Sequence, residues 1–180
     1  MQLLWLKHIG VELGDCCRFH GLPIVNKCDG SLIQIGDDLD ARSKTYSNSI
    51  GTIQPIVMTT THPSAKIILG NQVGMSGCTL ECRELIQVCD RVTIGSGVLV
   101  LDNDSHSLDP VERKAGAANI RSAPVVLEED VFIGARSIIL KGTKIGARTI
   151  VRAGSVVVGN FPADCIIGGN PATIVASKKE

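Results

Sequence analysis

His106 is the side chain in this sequence best set up to do chemistry. It lies in Asp102-Asn103-Asp104-Ser105-His106-Ser107-Leu108-Asp109-Pro110, with carboxylates on both sides. A neutral imidazole near pH 7 can take a proton from a hydroxyl at one ring nitrogen while a carboxylate or carbonyl holds the other. The residues alone leave three roles open: general base, plain loop residue, or contact between subunits. His8, His20 and His62 share no spacing with one another or with His106, so they read as surface or corner residues and form no three-histidine metal set. Seven cysteines, an odd number with Cys16 and Cys17 adjacent, do not read as a disulfide framework. Cys78, Cys82 and Cys89 lack paired C-x-x-C spacing, so no metal is expected, and Cys17 and Cys89 fall at or beside positions that point into a core.

What must position His106 is the repeat around it. From Leu127 the chain reads in sixes, with a large aliphatic at Leu127, Ile133, Ile139, Ile145, Val151 and Val157 and a small or β-branched residue four places later at Val131, Ser137, Thr143, Thr149 and Ser155. Internal period outranks local propensity. A helix would need apolar residues at i, i+3, i+4 and i+7, and Gly134, Gly142, Gly146 and Gly154 would each cost it roughly 1 kcal/mol against Ala. The period instead predicts a coil of very short strands with a corner every six residues, the aliphatic pointing to the axis and glycine supplying positive φ where a corner requires it. Stacked coils pair their backbones with the turns above and below, and only the stack buries the apolar face.

The same idiom appears earlier. Leu13-Gly14-Asp15 and Ile35-Gly36-Asp37 match the start of a repeat, so the coil is expected from near residue 9, irregularly to residue 66, with loops at 26–31 and 42–48. Regular coils follow over 67–101 and 125–160. Val88 trails Met75 by thirteen residues, which requires an inserted residue between Glu81 and Ile86. Between 102 and 124 the period stops in an extended polar loop, and long loops in compact domains are usually functional. Pro171 and the charged Lys178-Lys179-Glu180 end the coil in a cap over 161–180. The whole, 1–180, reads as one all-β domain.

Composition narrows the function. Lys plus Arg and Asp plus Glu are 18 each, so no broad basic face for nucleic acid or anionic lipid is implied. One Trp, one Tyr and three Phe leave almost no platform for base stacking. No apolar run approaches the ~18 residues of a membrane span, and unpaired cysteines suit a reducing cytoplasm.

On its repeats, and on the Asp102–Pro110 segment with Arg113 beyond it, the chain resembles the hexapeptide-repeat acetyltransferases, in particular those that acetylate maltose, galactosides and polysaccharides. The resemblance is strong over 66–175 and weak before it. It implies a left-handed parallel β-helix, an exception to the right-handed crossover rule, assembled as a homotrimer. It implies transfer of acetyl from acetyl-coenzyme A to a sugar hydroxyl, with His106 as general base and Asp104 as its neighbouring acid. Ser76, where sugar-acetylating relatives carry Asn, and Glu84, or Glu81 given the inserted residue, would hold the acceptor. A backbone amide at Ser76-Gly77 would stabilise the oxyanion. Ala135, Ala153, Val158, Gly159, Gly169 and Pro171 would line the coenzyme groove, and Lys178 or Lys179 would meet the phosphates, because Thr173 stands where relatives carry a base. Two rival readings stay open: N-acetylation of an amino sugar, and a β-helical scaffold without catalysis.

Overall fold

The computed structural model describes residues 2–116 and 119–177. After a short helix, Gln2–His8, the chain winds as a coil whose turns feed three parallel sheets in rotation. Among the described residues these hold seven, eight and six strands. They begin at Glu12–Leu13, Arg18–His20 and Ile24–Asn26 respectively, and the last strand of the second sheet runs antiparallel to the rest. This is the coil of short stacked strands that the repeat predicts, and the left-handed parallel β-helix that the resemblance implies.

The register explains the period. In the second sheet the inward column runs Phe19, Ala41, Met75, Ile94, Ile133, Val151, Ile167. In the third it runs Val25, Met58, Leu80, Val100, Ile139, Val157. All six aliphatics of the Leu127–Val157 repeat are 0% exposed, and each such side chain contributes about 1.5–3 kcal/mol through burial. The small positions are equally buried, because Ser137, Thr143, Thr149 and Ser155 donate their hydroxyls to the carbonyls of Arg152, Val157, Pro162 and Arg152 at 2.6–3.2 Å.

Glycine has two roles here, and only one was expected. Gly142 and Gly154 do adopt positive φ, at 74° and 71°. Gly14, Gly36 and Gly70 do not: a Cβ there would come within 2.4–2.6 Å of a side-chain oxygen of Asp37, Asn71 or Asp90 on the next turn. Those same oxygens accept the N–H of Asp15, Asp37 and Asn71 at 2.7–2.9 Å. The Gly-Asp or Gly-Asn pair is therefore a stacking device, one turn's missing side chain making room for the next turn's carboxylate or amide oxygen. The left-handed residue at this corner is Cys16, Asp38, Gln72, Arg91, Asp130, Arg148 or Asp164, each costing of order 1 kcal/mol or more. Bidentate pairs between Arg91 and Asp130 and between Arg148 and Asp164 run along the same edge.

The ends differ from the expected boundaries. Leu6 of the first helix is fully buried and closes the start of the core. At the other end Asn160–Phe161 and Cys165–Gly169 still pair in parallel with the turn before, so the coil continues past residue 160. Ala172–Ser177 then folds back antiparallel on Cys165–Gly169 and covers that edge. The loop expected at 42–48 is longer, running from the strand Asp40–Arg42 to the strand Val57–Thr60 through a 3-10 turn at Thr45–Ser47.

All seven cysteines are unpaired, with Cys78, Cys82 and Cys165 buried and Cys16 exposed. Burial pushes the Cys78 thiol from 9.0 up to about 12. Burial and the charge of Asp102 do the same to Cys82. Unfolding would release these protons more readily than the native state, so the stability they lend is complete below pH 9 and is lost as pH rises toward 12. Melting scans at constant ionic strength should show a flat melting temperature to about pH 9 and a decline above it, with Cys16 but neither Cys78 nor Cys82 labelled by a thiol reagent at pH 8 in the native protein.

Candidate functional site

The prism has three corners, and the site residues distribute over two of them. At the corner leading from the third sheet back to the first, the strand Leu99–Leu101 ends in Asp102, which is 0% exposed. Its carboxylate accepts the backbone N–H of Arg83 and Glu84 at 2.7 Å and of Leu85 at 2.8 Å, and takes the Cys82 thiol at 3.2 Å. The inserted residue read from the sequence is thus absorbed in a widened corner over 82–85, and Asp102 satisfies the amides it frees. Asp102→Asn would turn N–H donors against those amides. It should cost about 2 kcal/mol, seen as a lower denaturation midpoint with an unchanged slope.

From this root the loop is drawn tight. Asn103 bridges antiparallel to Ser122, Ala123 N–H donates to the Asp102 carbonyl at 2.9 Å, and Asp104 N–H donates to the Arg121 carbonyl at 3.1 Å. Ser105 is left-handed at φ 57°; its N–H donates to Asn103 Oδ1 at 2.7 Å and its hydroxyl to Glu81 Oε1 at 3.0 Å. His106 N–H then donates to the Asp104 carbonyl at 2.6 Å. Ser107, 2% exposed, donates to Glu112 Oε2 at 2.6 Å, and its carbonyl accepts Arg113 Nη1 at 3.0 Å. The backbone is fixed on both sides of His106, while its imidazole is exposed and has no hydrogen-bond partner among the described residues.

The loop also holds a helix, Pro110–Ala115, which the lack of apolar period concealed. Its signals were in the sequence: Asp109 caps the N–H of Val111 and Glu112, Pro110 opens the helix, and Gly116 at φ 86° closes it.

The acids have other partners than expected. Asp104 is ion-paired with Lys141 on the next turn, and its second carboxylate oxygen is buried without a partner among the described residues. Glu84 accepts the Ser122 hydroxyl at 2.8 Å, whereas Glu81 carries Ser105 and so reaches the turn that presents His106. Lys141 is the contributor the sequence did not single out, whereas Glu81 was named there only as the alternative to Glu84 for holding the acceptor; both sit one turn from the loop in the stacking register.

Ser76 stands at the other relevant corner, between the second and third sheets. It is 7% exposed and accepts Asn48 Nδ2 at 2.9 Å, Asn48 lying on the loop after Arg42. Together they line a cleft of about 410 Å³ with Asp40, Arg42, Phe132 and Ala135. Gly77 N–H donates to the Arg42 carbonyl at 2.9 Å, which corrects the expectation of an oxyanion-binding amide there: that N–H is used in stacking the turns. Burial alone would raise the Asp40 carboxyl, but the hydrogen bond and charge of Arg42, with His20 and Arg18 beside it, hold it below the usual carboxylate range.

The residues expected along the coenzyme groove separate in the same way. Ala135 and Ala153 stack at this second corner, where Gly154 N–H donates to the Ala135 carbonyl at 2.9 Å, and Gly169 and Pro171 follow on the next turn. Val158, 51% exposed, and Gly159 stand instead at the corner of the His106 loop. Lys178 and Lys179 lie outside the described residues. Between the two corners stretches the full width of the third sheet.

Residues 124–159 match the family described as bacterial transferase hexapeptide (six repeats). A stretch of 57 residues is 49% identical to 2,3,4,5-tetrahydropyridine-2,6-dicarboxylate N-acetyltransferase of Clostridium perfringens; it covers 32% of this chain and 24% of that protein, about a quarter of the relative's length. Among solved structures, AntD, an N-acyltransferase from Bacillus cereus seen in complex with dTDP and coenzyme A, superposes with a TM-score of 0.74 at 19% identity over 100% of this chain and 91% of that one. A hexapeptide-repeat containing acetyltransferase from Vibrio cholerae superposes with a TM-score of 0.55 at 27% identity over 99% and 79%. Residues 124–159 thus carry the hexapeptide repeat of bacterial transferases, and the chain shares its fold with hexapeptide-repeat acetyltransferases.

Proposed function

We propose that the protein transfers acetyl from acetyl-coenzyme A to a sugar hydroxyl, with His106 as the base. The observation that carries this reading is His106 itself, an exposed imidazole on a backbone pinned by Glu81, Asp102 and Ser107. A group held in that way can meet an acceptor without reorganising. Ala135, Ala153, Gly169 and Pro171 fit a coenzyme arm, since Ala153, Gly169 and Pro171 are exposed and a Cβ on neighbouring Gly154 would meet nothing within 4 Å. Acetyl-coenzyme A supplies the thioester carbonyl that is attacked. The acceptor O–H gives its proton to His106 as the C–O bond forms; the C–S bond breaks and the proton passes to the departing thiolate.

The third sheet supports assembly as a homotrimer. Its outward column in register is Ile24, Val57, Thr79, Leu99, Ile138, Val156, apolar at all but one step. Closing three copies about an axis facing this sheet would bring one copy's His106 corner against its neighbour's Ser76 corner. No helix among the described residues is long and apolar enough to cross a membrane, and unpaired cysteines suit a cytoplasmic site of action.

A second reading, N-acetylation of an amino sugar, is favoured by the N-acetyl and N-acyl activities named for the Clostridium perfringens and Bacillus cereus relatives. Measuring thiol release from acetyl-coenzyme A with neutral sugars, amino sugars and no acceptor decides among the readings. Release with hydroxyl acceptors is expected; release with amines alone selects the second reading, and none with any acceptor leaves a scaffold.

A further inference from the structure

The cleft beside Ser76 is lined by Asp40 and Arg42, and Arg18 and His20 at its rim add positive charge that neither the coil nor the proposed base requires. Its carboxylate, Asp40, is surrounded by Arg42 Nε at 3.0 Å, His20 Nε2 at 3.6 Å and Arg18 Nη2 at 3.7 Å. These four come from strands that pair in register, Arg18 opposite Asp40 and His20 opposite Arg42, so the alternation of the second sheet sets them on one outward face. One carboxylate cannot neutralise two guanidiniums, and the side chains of Arg18, His20 and Arg42 remain 63%, 45% and 42% exposed. Asp40 fixes the guanidiniums in place, and Arg42 is anchored further by donating Nη1 to the Ser47 carbonyl at 3.0 Å. Across the cleft stand the half-exposed ring of Phe132, 46% exposed, and Ile50, 70% exposed. At about 410 Å³ the cleft lies within the ~300–1,000 Å³ of small-molecule sites.

A cationic wall opposite an apolar face suits a ring that carries an anion. We propose that this cleft binds an acceptor bearing a phosphate or carboxylate, with Arg42 on its wall and Arg18 at its rim pairing the anion and Phe132 meeting the ring face. Guanidiniums hold such groups through paired, charge-assisted hydrogen bonds. The inference deepens the proposed acyl transfer by naming the acceptor class, and its anion could also come from coenzyme A, which the test separates.

Calorimetric titration of the purified full chain with glucose 1-phosphate, glucuronate, glucose and coenzyme A, each alone, tests it without turnover. The sugar phosphate or glucuronate should bind about 10-fold or more tightly than glucose. Arg42→Gln and Arg18→Gln should each remove most of that preference while leaving coenzyme A binding unchanged. Arg18→Gln guards against misfolding at the Arg42 anchor, because Arg18 is the more exposed and has only its contact with Asp40 to lose. Equal binding of charged and neutral sugars overturns the proposal, and so does a loss confined to coenzyme A. Acetylation of neutral sugars without any anion preference would overturn it while leaving acyl transfer intact; anion binding without acetylation would do the reverse.

Discussion

His106→Ala should lower turnover by about 10²-fold or more while leaving the circular dichroism spectrum and the assembly unchanged. The fold should not notice the change, because the imidazole is exposed and makes no hydrogen bond among the described residues. What holds the turn is backbone and neighbours: the His106 N–H on the Asp104 carbonyl, the Ser105 hydroxyl on Glu81, and Ser107 on Glu112. An alanine keeps all of these. The loss should therefore appear in kcat with little change in KM for acetyl-coenzyme A, since proton removal from the acceptor belongs to the transition state and not to donor binding. Wild-type turnover in the variant would remove His106 from the mechanism, and a collapse of the spectrum would mean that the imidazole is structural.

The fold was legible because its rule is periodic. One side chain in six decides which way a strand faces, and that rule survives from Leu127 to Val157 without interruption. The widened corner was legible too, as a count that came out one too many between Met75 and Val88. What the sequence hid was the partner of each device. Nothing in the Gly36-Asp37 dipeptide says that its carboxylate belongs against Gly14, a full turn away. Asp102 looked like a companion of His106 and is instead the acceptor for three amides at 83–85. Asp104 looked like another and is paired with Lys141. These contacts depend on which turn lies above which, and loops of uneven length, such as 43–56 and 102–124, break the arithmetic that would give it. The cluster at Arg18, His20, Asp40 and Arg42 was missed for the same reason, since twenty-odd residues of sequence separate two strands that are adjacent in the sheet.

The separation of His106 from the Ser76 cleft by the whole third sheet leads to the other large effect. If a site needs both, no single chain can complete it, and activity must arise where two chains meet. On the proposed mechanism, chains carrying His106→Ala lack the base but keep the groove, and chains carrying Ala153→Trp keep the base but fill the groove, because Ala153 is exposed at the corner where Ala135, Gly169 and Pro171 lie. Each variant alone should be nearly inactive. If the proposed homotrimer forms, then on co-refolding in equal amounts every mixed trimer contains one interface that joins an intact His106 to an intact groove, so random mixing should restore roughly a quarter of the wild-type rate. Differently tagged chains, purified in tandem, would establish that mixed trimers are present. Mixtures that stay inactive although mixed trimers are recovered would place both halves of the site within one chain, and the apolar outward column of the third sheet would then account for assembly alone.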